Sequence, residues 1–447
     1  YEMEALGIIG LLVGIGVLIL ISYKGLHAVP TSLIAGAVIL IFNGINLWTG
    51  FSELWIGGMA TVFTKYYLLF LASTLFANMM QATGACETIA YKFVEWFGKK
   101  HILTVIALLC FILCYGGVSF FVIMFAVGPI AFALFEELNI PRKLIIPATA
   151  AGNGAFVLAA PGSPQIQNVI PTELGTSLMA APILGAIMTI AGTVLCIVCV
   201  EYIYKKEMRK VELGEAPGWN SLGNEATLSG KREKNAGLFG SFFPMIVIIG
   251  IIVVCSMAID DIDATMLAVI AMCIGIIATI AFNFNCLEGA KGKLFKDWAA
   301  NSAVGAANSA LVLGAVVGFG SLVSGTDAFA NIIKWLMGLD MSTYWKGVIS
   351  TGTIAGICGS ASSGEQLTMQ YLSDYFINSG CNLDVLHRLI ANASITFDAL
   401  PHATGCFLMF SYYGVNHKIA YKYVFLLNVV IPVLVVLVAT PICTALF

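Results

Sequence analysis

The sequence predicts an all-α polytopic membrane protein: two inverted repeats of five spans, each with one re-entrant helical hairpin and one broken helix. Three observations carry that expectation. Charge is scarce, long apolar runs recur down the chain, and one set of Gly/Ser/Pro interruptions occurs twice in the same order. Of 447 residues, 59% are hydrophobic and 11% charged, with mean hydropathy +0.92. A soluble domain carries about a quarter charged residues. Uncharged apolar stretches of about eighteen residues or more can cross the hydrocarbon layer as helices. The short alternating segments of a β-barrel are absent. A net charge of −3 gives no case for a nucleic-acid partner.

Ten full spans are expected at about 5–23, 28–46, 62–83, 144–170, 175–204, 239–258, 264–284, 302–323, 386–412 and 422–445. The first lacks a basic leader and a small-residue cleavage site, so it reads as a retained span rather than a signal peptide. The stretches 101–138 and 344–378 have Gly/Ser-rich breaks in their middles and suit either two spans or one hairpin that enters and returns. The polar segment from Tyr204 to Asn235 holds seven of the 22 basic residues, which places it in the cytoplasm and both termini outside. Asp260, Asp261 and Asp263 then fall outside. The localisation expected is the plasma or inner membrane. The 12 cysteines are scattered through apolar runs, and Cys196 and Cys199 read as small packed residues. No zinc site or disulfide framework suggests itself, and no cofactor is expected.

Residues 1–204 and 239–447 align as weak repeats around a cytoplasmic linker, 205–238. Phe51-Ser-Glu-Leu-Trp55 pairs with Phe295-Lys-Asp-Trp298, and Thr83-Gly84-Ala85 with Gly325-Thr326-Asp327. Amphipathic stretches follow at 86–98 and 327–339, long enough to lie along the interface. Then come the hairpin breaks, Tyr115-Gly-Gly-Val-Ser119 and Cys358-Gly-Ser-Ala-Ser-Ser-Gly364. The interrupted spans are last, broken at Pro161-Gly-Ser-Pro164 and at Leu400-Pro-His-Ala-Thr-Gly405. Two independent bundles with incidental kinks would not repeat this order. Inverted halves with discontinuous helices in matching positions are the mark of a secondary transporter.

Irregular backbone survives in a bilayer only where protein buries it or a wet cavity lines it. Helix N-termini at such breaks offer N–H groups and partial positive charge to an anion. A carboxylate could be bound there without a buried arginine, because Arg142, Lys143 and Arg388 are placed close to the membrane faces. Substrate contacts are expected from Gly117 and Ser119 at the first hairpin, and from Ser163, Gln165 and Asn168 at the first broken span, which also carries Asn153 and Gln167. The second hairpin offers Ser360, Ser362 and Ser363; the second broken span offers His402 and Thr404, beside Asn392, Ser394 and Thr396. Ionisable groups at membrane depth are functional candidates by default, so His402, Asp398 and Glu365 are the proton-coupling candidates. His402 leads because imidazole titrates nearest neutral pH. His27, His101, His387 and His417 are placed near a membrane face.

Ala159-Ala-Pro-Gly-Ser-Pro-Gln-Ile-Gln-Asn168, Ala180-Ala-Pro-Ile-Leu-Gly185 and Asp398-Ala-Leu-Pro-His402 together resemble the gluconate permease family. The Asp-x-Leu-Pro-His element is most similar to its D-3-hydroxybutyrate permease-like branch. The resemblance spans nearly the whole chain. It implies a proton-coupled importer of small hydroxylated monocarboxylates, within the ion-transporter superfamily of elevator-type carriers, which are commonly homodimers. Sodium-coupled dicarboxylate carriers of that superfamily bind with Ser-Asn-Thr hairpin tips. This chain has Gly-Val-Ser and Ser-Ala-Ser-Ser instead.

The mobile unit expected is 101–170 plus 344–412, with the remaining spans as scaffold and arms. Its partners are a small organic-acid anion, a proton and the lipid bilayer. The rival readings are a sodium-coupled di- or monocarboxylate carrier, an antiporter, and a passive anion channel; an enzyme is not expected.

Overall fold

The computed structural model describes residues 2–85, 88–89, 92, 95–96, 101–115, 120–153, 155–163, 167, 169–219, 236–258, 264–287 and 291–447. Among them every regular element is helical. That is the economical solution for a chain this apolar, since a helix satisfies its backbone polar groups within itself.

The helices run in the order α1 (Glu2–Tyr23), α2 (Ala28–Phe42), α3 (Ile56–Ala82), α4 (Ile102–Tyr115), α5 (Phe120–Glu137), α6 (Ile145–Asn153), α7 (Val169–Leu174) and α8 (Pro182–Glu212). After the linker come α9 (Leu238–Ala258), α10 (Ala264–Asn283), α11 (Lys291–Ser324), α12 (Asp327–Met337), α13 (Thr343–Cys358), α14 (Ala361–Asn378) and α15 (Leu383–Ser394). The chain ends with α16 (Thr404–Tyr413), α17 (His417–Val424) and α18 (Ile431–Leu446). Among the described residues, six helices are long and apolar enough to cross a membrane: Ala5–Tyr23, Leu47–Met80, Pro182–Glu212, Val269–Cys286, Leu294–Ser324 and His417–Leu446.

The outer surface of α8 shows what solvent it meets. Ile183, Ile187, Ile190, Val194 and Val198 are all more than half exposed and lie on one stripe of the helix. A continuous apolar stripe facing outward suits lipid, not water. At about 1.5 Å per residue, the 31 residues of α8 outrun a hydrocarbon core of about 30 Å. The helix therefore continues past the membrane, and the first eight residues assigned to the linker, 205–212, are its last turns. Lys143 pairs there with Glu207 at 2.6 Å, at the same end of the bundle.

Two buried clusters organise the packing. One joins α1, α2, α11 and α12 through Leu18, Leu40, Phe319, Leu322 and Phe329. The larger one surrounds α4, α6, α14, α15 and α16, with Ile106, Ile145, Leu372, Leu389 and Phe410 among its members. α3 lies along α11, and α11 also touches α16.

The interruptions predicted from sequence are present wherever they are described. α13 and α14 are antiparallel partners joined by Gly359 and Ser360 alone. α15 stops at Ser394 and the chain resumes helix only at Thr404. The first broken segment is more irregular than its counterpart. After α6 it holds one 3₁₀ turn, Ala155–Val157, then the six residues of α7, then a turn into α8. The first amphipathic stretch, 86–98, is described at too few positions for comparison; the second is α12, which lays Phe329, Ile333 and Leu336 against α1 and α13 and leaves Trp335 exposed.

Candidate functional site

The described ends of the breaks meet one another. Tyr115, at the end of α4, donates its hydroxyl to the Pro161 carbonyl at 3.1 Å, which ties the first hairpin to the first broken segment. A Cβ placed on Gly405, in the first turn of α16, would sit 3.6 Å from the ring of Phe120, the first residue of α5. The second hairpin tip meets the second break through Gly359, whose carbonyl accepts from Thr404 N at 3.3 Å and Thr404 Oγ1 at 3.4 Å. Gly359 is needed there twice over. Its φ of +61° is left-handed, and a Cβ would lie 3.0 Å from the Ala403 backbone.

The fourth link is Arg388, and it corrects the sequence reading. The side chain is fully buried, where the sequence reading expected no buried arginine. From the second turn of α15 it reaches into the first broken segment. Nε donates to the Ala180 carbonyl at 3.1 Å, and Nη2 to the Ala180 and Leu178 carbonyls at 2.7 and 3.0 Å. Nη1 donates to the Ala159 carbonyl and to Gln167 Oε1, both at 2.7 Å. All five guanidinium N–H groups are therefore spent on irregular backbone and one amide. Gln167 in turn donates Nε2 to the Leu158 and Ala160 carbonyls at 2.7 and 2.8 Å. His387, also fully buried, sits 3.3 Å from Gln167 Oε1 and 2.7 Å from Thr176 Oγ1. It is a member of this network, not an incidental surface imidazole. Charge counting missed both residues because a lone arginine in an apolar run reads as an interfacial anchor. Only folding reveals the four oxygens that replace its hydration.

The same network explains motif residues. A Cβ on Gly185 would lie 2.8 Å from Arg388 Cδ and Nε, so glycine leaves room for the guanidinium. Ala181, one residue before Pro182, holds a left-handed φ of 40°. Such backbone costs an alanine free energy and persists where surrounding bonds determine it; here Arg388 holds the carbonyl just before it.

The remaining predicted residues divide by surroundings. Ser163 is fully buried at the first break, and its hydroxyl has no hydrogen-bond partner among the described residues. Ser360 caps α14, accepting from Ser363 N at 3.4 Å and from Ser363 Oγ at 3.2 Å, while Ser362 is exposed beside them. His402 is buried and binds the Gly356 carbonyl at 2.8 Å through Nε2, leaving Nδ1 unpartnered. Asp398 lies half-buried in the second break. Glu365 is fully buried one turn into α14; Ser394 donates to Oε1 at 2.9 Å, and Oε2 has no hydrogen-bond partner. Gly117, Ser119, Gln165 and Asn168 lie outside the described residues.

Two other placements differ from expectation. Arg142 is buried, its guanidinium 4.9 Å from the ring of Trp219, so part of the linker packs onto the bundle. His417 is buried too and binds the Pro401 carbonyl at 2.8 Å. It braces the second break at Pro401.

The family model for GntP family permeases matches residues 6–445. The chain belongs to the GntP permease family. It is also similar to the uncharacterized transporter YxjC of Bacillus subtilis (strain 168), with 27% identity over 459 residues, 94% of this chain and 95% of that protein. The permease is thus a multi-pass membrane transporter for small molecules, and its buried arginine network lies within the matched region.

Proposed function

We propose that this permease imports a small hydroxylated monocarboxylate, of the gluconate or 3-hydroxybutyrate type, by proton symport. The observation that supports it most is the meeting of the helix breaks around hydroxyl-bearing side chains, with Ser163 Oγ buried and unpartnered among them. A buried hydroxyl without a partner is costly unless a ligand supplies one. Thr404 and Ser360 stand at the starts of α16 and α14, where helix N-termini favour an anion. Arg388 spends its donors on backbone, so the carboxylate would be held by N–H groups and hydroxyls, with the arginine supplying charge from behind.

In this reading 101–170 and 344–412 move as one body, elevator-like, against a scaffold that a homodimer would share. Arg388 ties the two stretches together through Ala159 and Gln167, and its bonds to Leu178 and Ala180 reach the segment that follows the first stretch. The proton rides on one of Glu365, Asp398 or His402. The linker faces the cytoplasm and both termini the outside.

Uptake of labelled gluconate and D-3-hydroxybutyrate into proteoliposomes tests the proposal. Accumulation should rise with an inward proton gradient and collapse with a protonophore. Accumulation that ignores protons and follows sodium would replace it with the sodium-coupled reading.

A further inference from the structure

We propose that Glu365 is the coupling-proton site, and that the charge it uncovers on protonation is the fixed charge of Arg388, matched by a single substrate carboxylate. This rests on the symport reading above and assigns its proton. The two residues lie on α14 and α15, which pack together, and both are fully buried. They are not an ion pair. Arg388 has no N–H left after its five hydrogen bonds, and Glu365 Oε2 has no hydrogen-bond partner among the described residues.

The charge count gives the coupling. With Glu365 ionised, its charge offsets that of Arg388 in the empty carrier. With Glu365 protonated, Arg388 leaves one positive charge uncompensated, and a monoanion bound at the breaks restores neutrality. Moving an uncompensated charge through a low-dielectric interior is expensive. The states in which the charge of Arg388 is offset, empty and doubly loaded, are therefore the mobile ones. This fixes one proton per monocarboxylate and disfavours a dicarboxylate, which would leave a net negative charge. The proton arrives from water on one side, bonds to Oε2, and leaves to water on the other; no other bond changes.

Polar surroundings suit a site that loads and unloads. The three helices around Glu365 carry further buried side-chain oxygens without hydrogen-bond partners: Ser350 and Thr351 on α13, Thr368 on α14, and Asn392 Oδ1 on α15. A protonated carboxyl needs an acceptor and an ionised one needs donors, and hydroxyls serve both. The other ionisable groups on the packed elements are accounted for. α13 carries Tyr344, whose hydroxyl accepts from Asn382 N, Lys346 over the Tyr375 ring, and Cys358 at the tip. α14 itself carries Tyr371, Asp374 and Tyr375; α15 carries Asp384, His387 and Arg388; α7 carries the exposed Glu173. Asp398 and His402 follow α15 in the break, and Asp398, partly buried, is the rival proton site.

Infrared difference spectra between acid and alkaline pH, taken on purified protein in phospholipid vesicles, decide between them without any substrate. The carbonyl band of a titrating carboxylic acid should vanish in Glu365→Gln and persist in Asp398→Asn. A band that persists in Glu365→Gln and vanishes in Asp398→Asn overturns the proposal. In the same vesicles, Glu365→Gln should lose proton-driven accumulation of labelled gluconate or 3-hydroxybutyrate, the ratio falling to about one, while slow counterflow survives. Wild-type accumulation by that variant overturns the proposal equally. Should Glu365→Gln fail to fold, Glu365→Asp must shift the band, and an unshifted band counts against Glu365. If wild-type protein moves neither acid, the substrate reading falls, and the infrared band still decides the proton site.

Discussion

Arg388 and Gln167 stand 221 positions apart in the chain, yet a guanidinium N–H donates to the Gln167 amide oxygen across 2.7 Å in a fully buried setting. This contact joins α15 to the first broken segment. It also sets the cost of tampering with either side.

Arg388→Ala should be severely destabilising. It strands several buried carbonyls, each costing about 1–3 kcal/mol when left unsatisfied. We expect a total above about 4 kcal/mol, read as lost monodisperse protein and a collapsed thermal transition in detergent. Arg388→Lys has three donors in place of five and should recover part of it.

Ser163→Ala separates stability from binding. Because the hydroxyl has no partner, its removal should leave thermal stability unchanged or raise it by about 1 kcal/mol. A hydrogen bond to a charged acceptor is worth about 1.5–3 kcal/mol, so substrate affinity should fall roughly tenfold or more. Equal affinity in a ligand-induced thermal-shift titration would remove Ser163 from the site.

Gly359→Ala should damage transport through geometry alone. A left-handed alanine costs roughly 1–2 kcal/mol, and the new methyl group would press on Ala403. Folded protein should still be recovered, with uptake reduced severalfold as the hairpin tip separates from Thr404.

Ala181→Gly tests stored strain in the opposite direction. Relief of the left-handed alanine should raise stability by about 1 kcal/mol, a rise of a few degrees in the unfolding midpoint. An unchanged or lower midpoint would show that the backbone at Ala181 carries no net strain.

The breaks themselves were readable in advance because Gly, Pro and Ser cannot continue an apolar helix cheaply. The second hairpin tip falls at Gly359-Ser360 and the second interruption between Ser394 and Thr404, as the sequence suggests. The first broken segment was legible as a break but not in its form, since a six-residue α7 leaves too little periodicity to recognise. Inversion of the repeats and the sidedness of the linker stay where the basic residues put them, as expectations.

Apolar runs and the scarcity of charge determine by themselves that this chain is helical and lives in a bilayer, because each run must satisfy its backbone locally wherever it ends up. What only the tertiary structure decides is which polar groups find partners. Arg388, His387 and His417 looked like interfacial residues in one dimension, and each is buried: Arg388 and His417 against carbonyls of irregular backbone, His387 against the Gln167 amide and the Thr176 hydroxyl. Glu365 and Ser163 looked like members of a list of polar residues; folding leaves each with an oxygen that has no partner. Partnership of a buried polar atom depends on segments far apart in sequence, and no local pattern encodes it.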